Sequence, residues 1–182
     1  IACDDRDVIE KISKIMTYKG PIYKKPRFNG KVSYNLRICD KIIFYDLQLL
    51  NITQRKSLTV TPPDNLPNHL VRHYIRGFFD GDGTATLATR NYPSRLVAVF
   101  NTASLNMANF VYKVMKKELE DFYNGSISVQ LTHQKTNYYK ITLGHKAAQK
   151  LYNYMYQGSK GLYMERKYNK FIEGMDYYAR SI

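Results

Sequence analysis

The segment 74–84 constrains the fold more than any other part of this 182-residue chain. Apolar and glycine residues recur through it at helical spacing, and Gly83 is suited to end the helix. Asp80 and Asp82 therefore fall in the last turn, where the negative end of the helix dipole disfavours an anion by roughly 0.3–1 kcal/mol. Carboxylates that break a local preference in this way indicate a functional site.

The glycines of this segment predict a close helix contact. Gly77 and Gly81 lie four residues apart, on one helix face, with the bulky Tyr74 and Phe78 beside them. Two such helices could pack with their backbones nearly touching. Around a two-fold axis, their terminal carboxylates would meet and could hold a hard divalent cation through oxygen ligands, which suits phosphodiester chemistry.

The segment resembles the LAGLIDADG motif of homing endonucleases, in the form of its second copy, because residues 75–83 fill all nine motif positions. The resemblance implies that Gly77 and Gly81, flanked by Tyr74 and Phe78, pack against a second helix. It also implies that Asp82 binds the metal, with Gly81 adjoining it. Arg76 replaces the small second residue of the motif, at a position expected to face outward.

Other kinds of structure could also contain the Asp-x-Asp-Gly pattern of residues 80–83. An EF-hand loop starting at Asp80 would need glycine and glutamate where the chain has Ala85 and Asn91, and a membrane dimerisation helix would need a longer apolar run. Both are excluded. An ordinary Asp-Gly turn after a buried helix stays open.

Charge and composition indicate the class of partner. The formal net charge is +13, while 44% of the residues are hydrophobic and 17 are tyrosines, so the charge is expected on a folded surface rather than a disordered tail. Nucleic acid is the leading candidate. The chain has no membrane-length apolar run and no signal peptide, which predicts an intracellular protein, in the cytoplasm of a bacterium or phage-infected cell or in an organelle. Two cysteines and four scattered histidines argue against zinc or disulfides.

An internal repeat predicts the domain organisation. A shift of 105 residues lays Gly20, Ile22, Tyr34, Leu36, Ile38 and Lys41 onto Gly125, Ile127, Tyr139, Ile141, Leu143 and Lys146. The fold that the resemblance implies is α+β, a pseudo-two-fold tandem αββαββα repeat with curved antiparallel sheets. Residues 1–61 form a partial first repeat, 62–69 a linker and 70–182 a complete second repeat. The first repeat is incomplete, because the counterpart of Asp82 would fall upstream of Ile1.

Alternation along the strands predicts which side chains read DNA. Apolar residues at every second position should face the helices, leaving a basic, hydrogen-bonding face that fits the major groove. The run 96–100 is apolar on both sides and could instead be fully buried. For a single strand, a merely solvated face is the simpler interpretation. The predicted DNA contacts are Lys25, Lys31, Ser33, Asn35, Arg37, Arg90, Arg95, Ser128, Gln130, Thr132, Lys135, Tyr138, Lys140 and Thr142.

The resemblance implies a site-specific endonuclease that hydrolyses phosphodiester bonds of double-stranded DNA, as in intron or intein mobility. The implied cofactor is Mg²⁺ or another divalent cation such as Mn²⁺, and Ca²⁺ would bind without supporting cleavage. Asp82 would carry the chemistry, with Lys56 and Lys167 as candidate catalytic residues. The two lysines could instead be phosphate anchors or solvated charges. The glycine-faced helix would also mediate self-association. The alternative is a non-cleaving nucleic-acid-binding protein on the same fold, either an RNA-splicing maturase or a DNA-binding regulator.

Overall fold

A computed structural model describes residues 1–28, 30–54, 56–88, 95–131 and 136–179. Within these ranges the chain is α+β. The helices are α1 (Arg6–Ile15), α2 (Lys41–Leu49), α3 (Asn68–Asp82), α4 (Leu105–Leu119), α5 (His145–Tyr156) and α6 (Glu165–Ala179). The strands are β1 (Ala2–Cys3), β2 (Ile22–Pro26), β3 (Val32–Leu36), β4 (Thr84–Ala88), β5 (Arg95–Thr102), β6 (Ile127–Leu131) and β7 (Asn137–Leu143).

The strands form two antiparallel sheets with related pairing. The order is β1-β3-β2 in the first sheet and β4-β5-β7-β6 in the second. In the first, Ile22 pairs with Leu36, and in the second Ile127 pairs with Ile141, a shift of 105 residues at both partners. The same shift relates all five pairs of the two hairpins. The segments 22–36 and 127–141 therefore have the same strand register.

One face of the second sheet builds the core. Buried residues alternate with more accessible ones along β5 and over the last three residues of β7, and α4, α5 and α6 contact the sheet. On α3 the core side is formed by Ile75 and Phe79, both fully buried. The predicted stripe through Tyr74 and Phe78 lies beside them and is half-buried, against Phe110 and Phe100 respectively.

Far fewer buried side chains pack against the first sheet than against the second. Of the described residues before 62, only Ile9 and Leu36 are buried hydrophobics, and no residue of α2 is buried. The apolar residues Val8, Ile12 and Ile15 of α1 differ in their cover. Val8 and Ile12 are half-buried, whereas Ile15 is mainly exposed because α1 ends there and no described element covers its tip.

Alternation places the side chains of the second sheet largely as predicted. In β5, Leu96, Ala98 and Phe100 are buried, while Val97 and Val99 keep exposed area. The alternative of a fully buried strand at 96–100 is therefore wrong. Val129 and Leu131 lie at alternate positions of β6, where apolar residues should face the helices. Both are exposed, because β6 is the edge strand and α4 and α5 lie over the inner strands.

Helix α3 starts after Pro67, a residue that cannot donate a backbone hydrogen bond and is favoured where helices begin. Its end follows the expected pattern, with Gly83 as the residue that closes it. Among the described residues, none of the helices combines the length and apolar character needed to cross a membrane.

Candidate metal and nucleic-acid site

Helix α3 delivers Asp82 to an open cleft. Asp82 is the last residue of the helix and is exposed, and strand β4 begins two residues later at Thr84. The carbonyl oxygen of Asp82 lies 3.5 Å from the Nδ2 of Asn101, on the neighbouring strand β5. The carboxylate is therefore placed at the edge of the second sheet, where helix and strand meet.

The cleft has a volume of about 810 Å³ and combines polar groups from distant parts of the sequence. Lys56 lies in its wall together with Asp82, although the two residues are in different predicted repeats. Tyr138, which was predicted to contact DNA, lines the same cleft. The remaining polar lining residues are Ser57, His73, Tyr74, Asn101 and Thr102.

Lys167 has a different environment from Lys56. Lys167 is only 6% exposed, and its Nζ donates to the carbonyl oxygens of Phe79 at 2.8 Å and Asp80 at 2.7 Å. Burial lowers the pKa of Lys167, and the carboxylates of Asp80 and Asp82 oppose that change. Its ammonium is engaged with the end of α3, and Lys167 is not among the residues that line the cleft. These contacts are structural ones, and the catalytic role of Lys167 stays a prediction.

The Asp80 side chain, on α3, contacts the residue just before α6. Its Oδ2 accepts from the backbone N–H of Met164 at 3.1 Å, just before α6 begins, and its Oδ1 accepts from the Tyr156 hydroxyl at 3.4 Å. Burial raises the pKa of Asp80 to about 6, although the Met164 hydrogen bond and the cations Lys167 and Arg76 favour the charged form. The two acids of the motif therefore differ: Asp80 is buried and structural, and Asp82 is exposed.

The expected outward orientation of Arg76 is wrong. Arg76 is 5% exposed, and its Nη1 donates to the carbonyl oxygen of Met155 at 3.2 Å, near the end of α5. The same nitrogen lies 2.6 Å from Nδ1 of His73. Burial lowers the pKa of Arg76, and the charge of Asp80 opposes this. A helix end presents unpaired carbonyls, which explains why a cation is tolerated here.

The glycine face of α3 is open. Gly77 and Gly81 are exposed, and a Cβ atom added at either position would meet nothing within 4 Å. A side chain is therefore sterically possible at both positions in the described chain. Since glycine lowers helix stability by about 1 kcal/mol relative to alanine, its use twice on one exposed face calls for another explanation.

Pairing across the second sheet gathers six of the fourteen predicted DNA contacts on one face. Lys140 pairs with both Ser128 and Asn101, and Gln130 pairs with Tyr138. Paired residues point to the same side of a sheet, opposite the buried face. The predicted residues with exposed area there are Arg95, Ser128, Gln130, Tyr138, Lys140 and Thr142. Arg90, Thr132 and Lys135 lie outside the described residues.

On the first sheet, Lys25, Lys31 and Arg37 are exposed and Asn35 is half-buried. Ser33 is only 4% exposed and cannot offer its hydroxyl to DNA as predicted, because a short side chain on the central strand of a sheet is easily covered by its neighbours. The first sheet thus keeps four of its five predicted contacts accessible.

The donors around Asp82 fit a hard divalent cation. Mg²⁺ prefers oxygen ligands and is commonly held by one or two carboxylates together with water and substrate phosphates. The Asp82 carboxylate, with the adjoining Gly81 backbone, supplies such a partial set. In the described part of the chain, no group of three or more His, Cys, Asp or Glu side chains could hold a metal, so remaining ligands would come from elsewhere.

Sequence reasoning did not single out Asn101, which lies at the end of β5 beside Asp82. Its polar side chain on the open face of an otherwise apolar strand was the available signal. Comparison with known proteins gave no match, either to a protein-family model or to a curated protein.

Proposed function

We propose that this protein is a metal-dependent, site-specific endonuclease acting on double-stranded DNA, with the organisation of a LAGLIDADG homing endonuclease. The observation that carries the proposal is the exposed carboxylate of Asp82 at the end of a glycine-faced helix. This carboxylate lines a cleft with Lys56, beside an open sheet face that presents cationic and hydrogen-bonding side chains.

The open face of the second sheet suits duplex DNA in both charge and chemistry. Arg95 and Lys140 supply positive charge, and Ser128, Gln130 and Thr142 supply hydrogen-bonding groups. The major groove accepts a two-stranded ribbon, and such side chains distinguish base edges there. On the first sheet, Lys25 and Arg37 would extend the contact to a neighbouring part of the site.

The tandem repeat is part of the proposal and is supported by the shared strand register of the two sheets. A local likeness agrees with it: a Cβ atom on Gly20 would meet the Tyr18 ring, and one on Gly125 would meet the Tyr123 ring. Both glycine–tyrosine pairs follow a helix and precede a hairpin, 105 residues apart. Two sheets of this kind would cover two halves of one DNA site.

The proposed reaction is hydrolysis of a phosphodiester. The oxygen of a water molecule forms the new bond to phosphorus, the bond to one sugar oxygen breaks, and a proton ends on that leaving oxygen. A bound Mg²⁺ would supply Lewis-acid chemistry by acidifying water and neutralising developing charge. Asp82 would hold the cation, while Lys56 would attract the phosphate through its position in the same cleft.

We also propose self-association through α3. Its open glycine face can admit another helix at close range, and Leu70 is 40% exposed near its start. The substitution Gly77→Ala adds a methyl group that fits the single chain. We therefore expect it to increase the free energy of unfolding by up to about 1 kcal/mol and to weaken dimerisation. Calorimetry and sedimentation velocity measure the two effects; dimers of unchanged affinity would contradict the proposal.

The direct test is binding and cutting of a randomised duplex library, with Ca²⁺ in the binding step and Mg²⁺ in the cutting step. We expect enrichment of one site and Mg²⁺-dependent cleavage of it. The substitution Lys140→Gln should weaken binding and lower the salt slope by about 0.9, the value for one phosphate contact. The matched control is Lys117→Gln, since Lys117 is an exposed lysine on α4, and we expect no such change.

Sequence-selective binding without cutting would favour the alternative of a non-cleaving DNA-binding regulator, and preference for RNA would favour a maturase. The presence of one carboxylate, rather than an acidic cluster, in the described cleft is the observation that favours this alternative. Absence of nucleic-acid binding would refute both candidate functions.

A further inference from the structure

The junction between the end of α3 and the start of α6 contains a reciprocal pair of helix caps. Lys167 lies in the first turn of α6 and donates to two carbonyl oxygens at the end of α3. Asp80 lies in the last turn of α3 and accepts from the Met164 backbone at the start of α6. Each helix thus supplies the charge that the other helix end prefers, since cations favour C-termini and anions favour N-termini.

The carbonyls involved are those that need an outside partner. The last four carbonyls of an α-helix lack a donor within the helix. The carbonyl oxygen of Phe79 accepts a hydrogen bond from the backbone N–H of Gly83 at 2.7 Å and a second one from Nζ of Lys167 at 2.8 Å. The carbonyl oxygen of Asp80 accepts a hydrogen bond from Nζ of Lys167 at 2.7 Å. Without this ammonium the last turn of α3 would lose a charged donor in a buried place, where an unmet carbonyl costs about 1–3 kcal/mol.

The same first turn of α6 also contacts helix α1 and the residue that precedes it. Arg166 donates to both carboxylate oxygens of Asp5, at 3.0 and 3.1 Å. The backbone N–H of Glu165 donates to Asp7 at 2.9 Å, and its carboxylate is 3.0 Å from Nζ of Lys11. Residues 165–167 therefore connect α3 and α1, two helices that are far apart in the sequence.

From these contacts we infer that Lys167 is a positioning residue, which fixes the last turn of α3 so that the Asp82 carboxylate points into the cleft. The inference goes beyond the proposed function and rests on it for its catalytic consequence. Asp82 lies two residues after Asp80, whose carbonyl oxygen accepts from Lys167, and its own side chain is exposed. Its direction is therefore set by the turn that Lys167 holds. A misplacement of about 1 Å costs catalysis on the order of 100-fold.

The test replaces Lys167 with methionine, which keeps the length and removes the ammonium. At saturating DNA and Mg²⁺, well below the melting temperature, we expect cleavage to slow on the order of 100-fold while the Kd for DNA stays unchanged. Amide hydrogen exchange at residues 81–83 should accelerate at least about tenfold, whereas exchange within α4 should not change. A purely stabilising role would instead change exchange throughout the chain and leave the rate of the folded enzyme intact.

Lys170→Met is the matched control, because Lys170 lies on the same helix and its ion pair with Glu173 is partly exposed. We expect neither effect there. Lys167→Arg keeps a charged donor and should restore part of the rate. If Lys167→Met does not fold, Asp80→Asn, which weakens the opposite cap, should slow cleavage in the same direction. A wild-type rate in that variant would overturn the inference.

The outcomes separate the inference from the proposed function. If the unmodified protein cuts DNA and Lys167→Met cuts equally fast with unchanged exchange, the inference fails and the proposed function stands. If the unmodified protein does not cut, the proposed function fails, and local exchange at residues 81–83 still decides whether Lys167 holds this turn.

Discussion

Replacing Asp82 with asparagine is expected to abolish DNA cleavage while DNA binding is retained. The substitution removes the exposed carboxylate from the cleft and leaves the helix intact, because the Asp82 side chain is exposed and the capping contacts belong to Asp80 and Lys167. Loss of a held divalent cation forfeits several kcal/mol of transition-state stabilisation, which corresponds to a rate decrease of at least about 1,000-fold.

The measurement compares single-turnover cleavage with binding to the same duplex in Ca²⁺. The Kd of Asp82→Asn should be close to that of the unmodified protein, since the predicted DNA contacts on the two sheets are unchanged. Asp64→Asn is the matched control, because Asp64 is an exposed acid in the predicted linker. Persistent cutting by the Asp82 variant would remove the basis of the proposed mechanism.

The second large effect is expected for Phe79→Ala, and it concerns stability. The Phe79 ring is fully buried, 5.1 Å from the centre of the Phe100 ring and 5.5 Å from that of Phe171. Truncation should lower the free energy of unfolding by about 3–5 kcal/mol, because it removes buried apolar area and leaves a cavity. In a chain of this size, that loss lowers the Tm by roughly 6–20 °C.

Chemical denaturation of Phe79→Ala and of a control, Phe122→Ala, measures this difference. Phe122 is 45% exposed, with Nζ of Lys150 lying 4.5 Å from its ring centre, so its truncation should cost less than about 1 kcal/mol. Equal losses in the two variants would mean that the α3–β5–α6 contact does not anchor the core as described.

The sequence predicted the strands of the second sheet well, because alternation with a period of two is a local signal. Residues 139–143 alternate between apolar and polar side chains, and they form most of the observed strand β7, Asn137–Leu143. Strand β1 was not predicted. It has two residues, and its only signal is pairing with β3, more than 30 residues away, for instance between Ala2 and Asn35.

Side chains whose role depends on a distant helix end were predicted poorly. Arg76 looked like an outward-facing charge, and its true partner is a carbonyl on α5, 79 residues along the chain. Lys167 was considered for catalysis, and its partners on α3 are 87 and 88 residues away. Periodicity describes the face of one helix and contains no information on which other helix end lies against it. By contrast, the position of Asp82 in the last turn of α3 followed from the helical pattern itself.

The uneven distribution of the core has a consequence for how recognition could change. Before residue 62, the described chain contains two buried hydrophobics, Ile9 and Leu36, whereas the second sheet and its helices contain the rest of the core. Side chains such as Lys25 and Arg37 therefore stand on a part of the protein where a substitution rarely disturbs packing. Under the proposed function, this half could acquire preference for a new DNA sequence at little cost in folding free energy, while the other half preserves the fold.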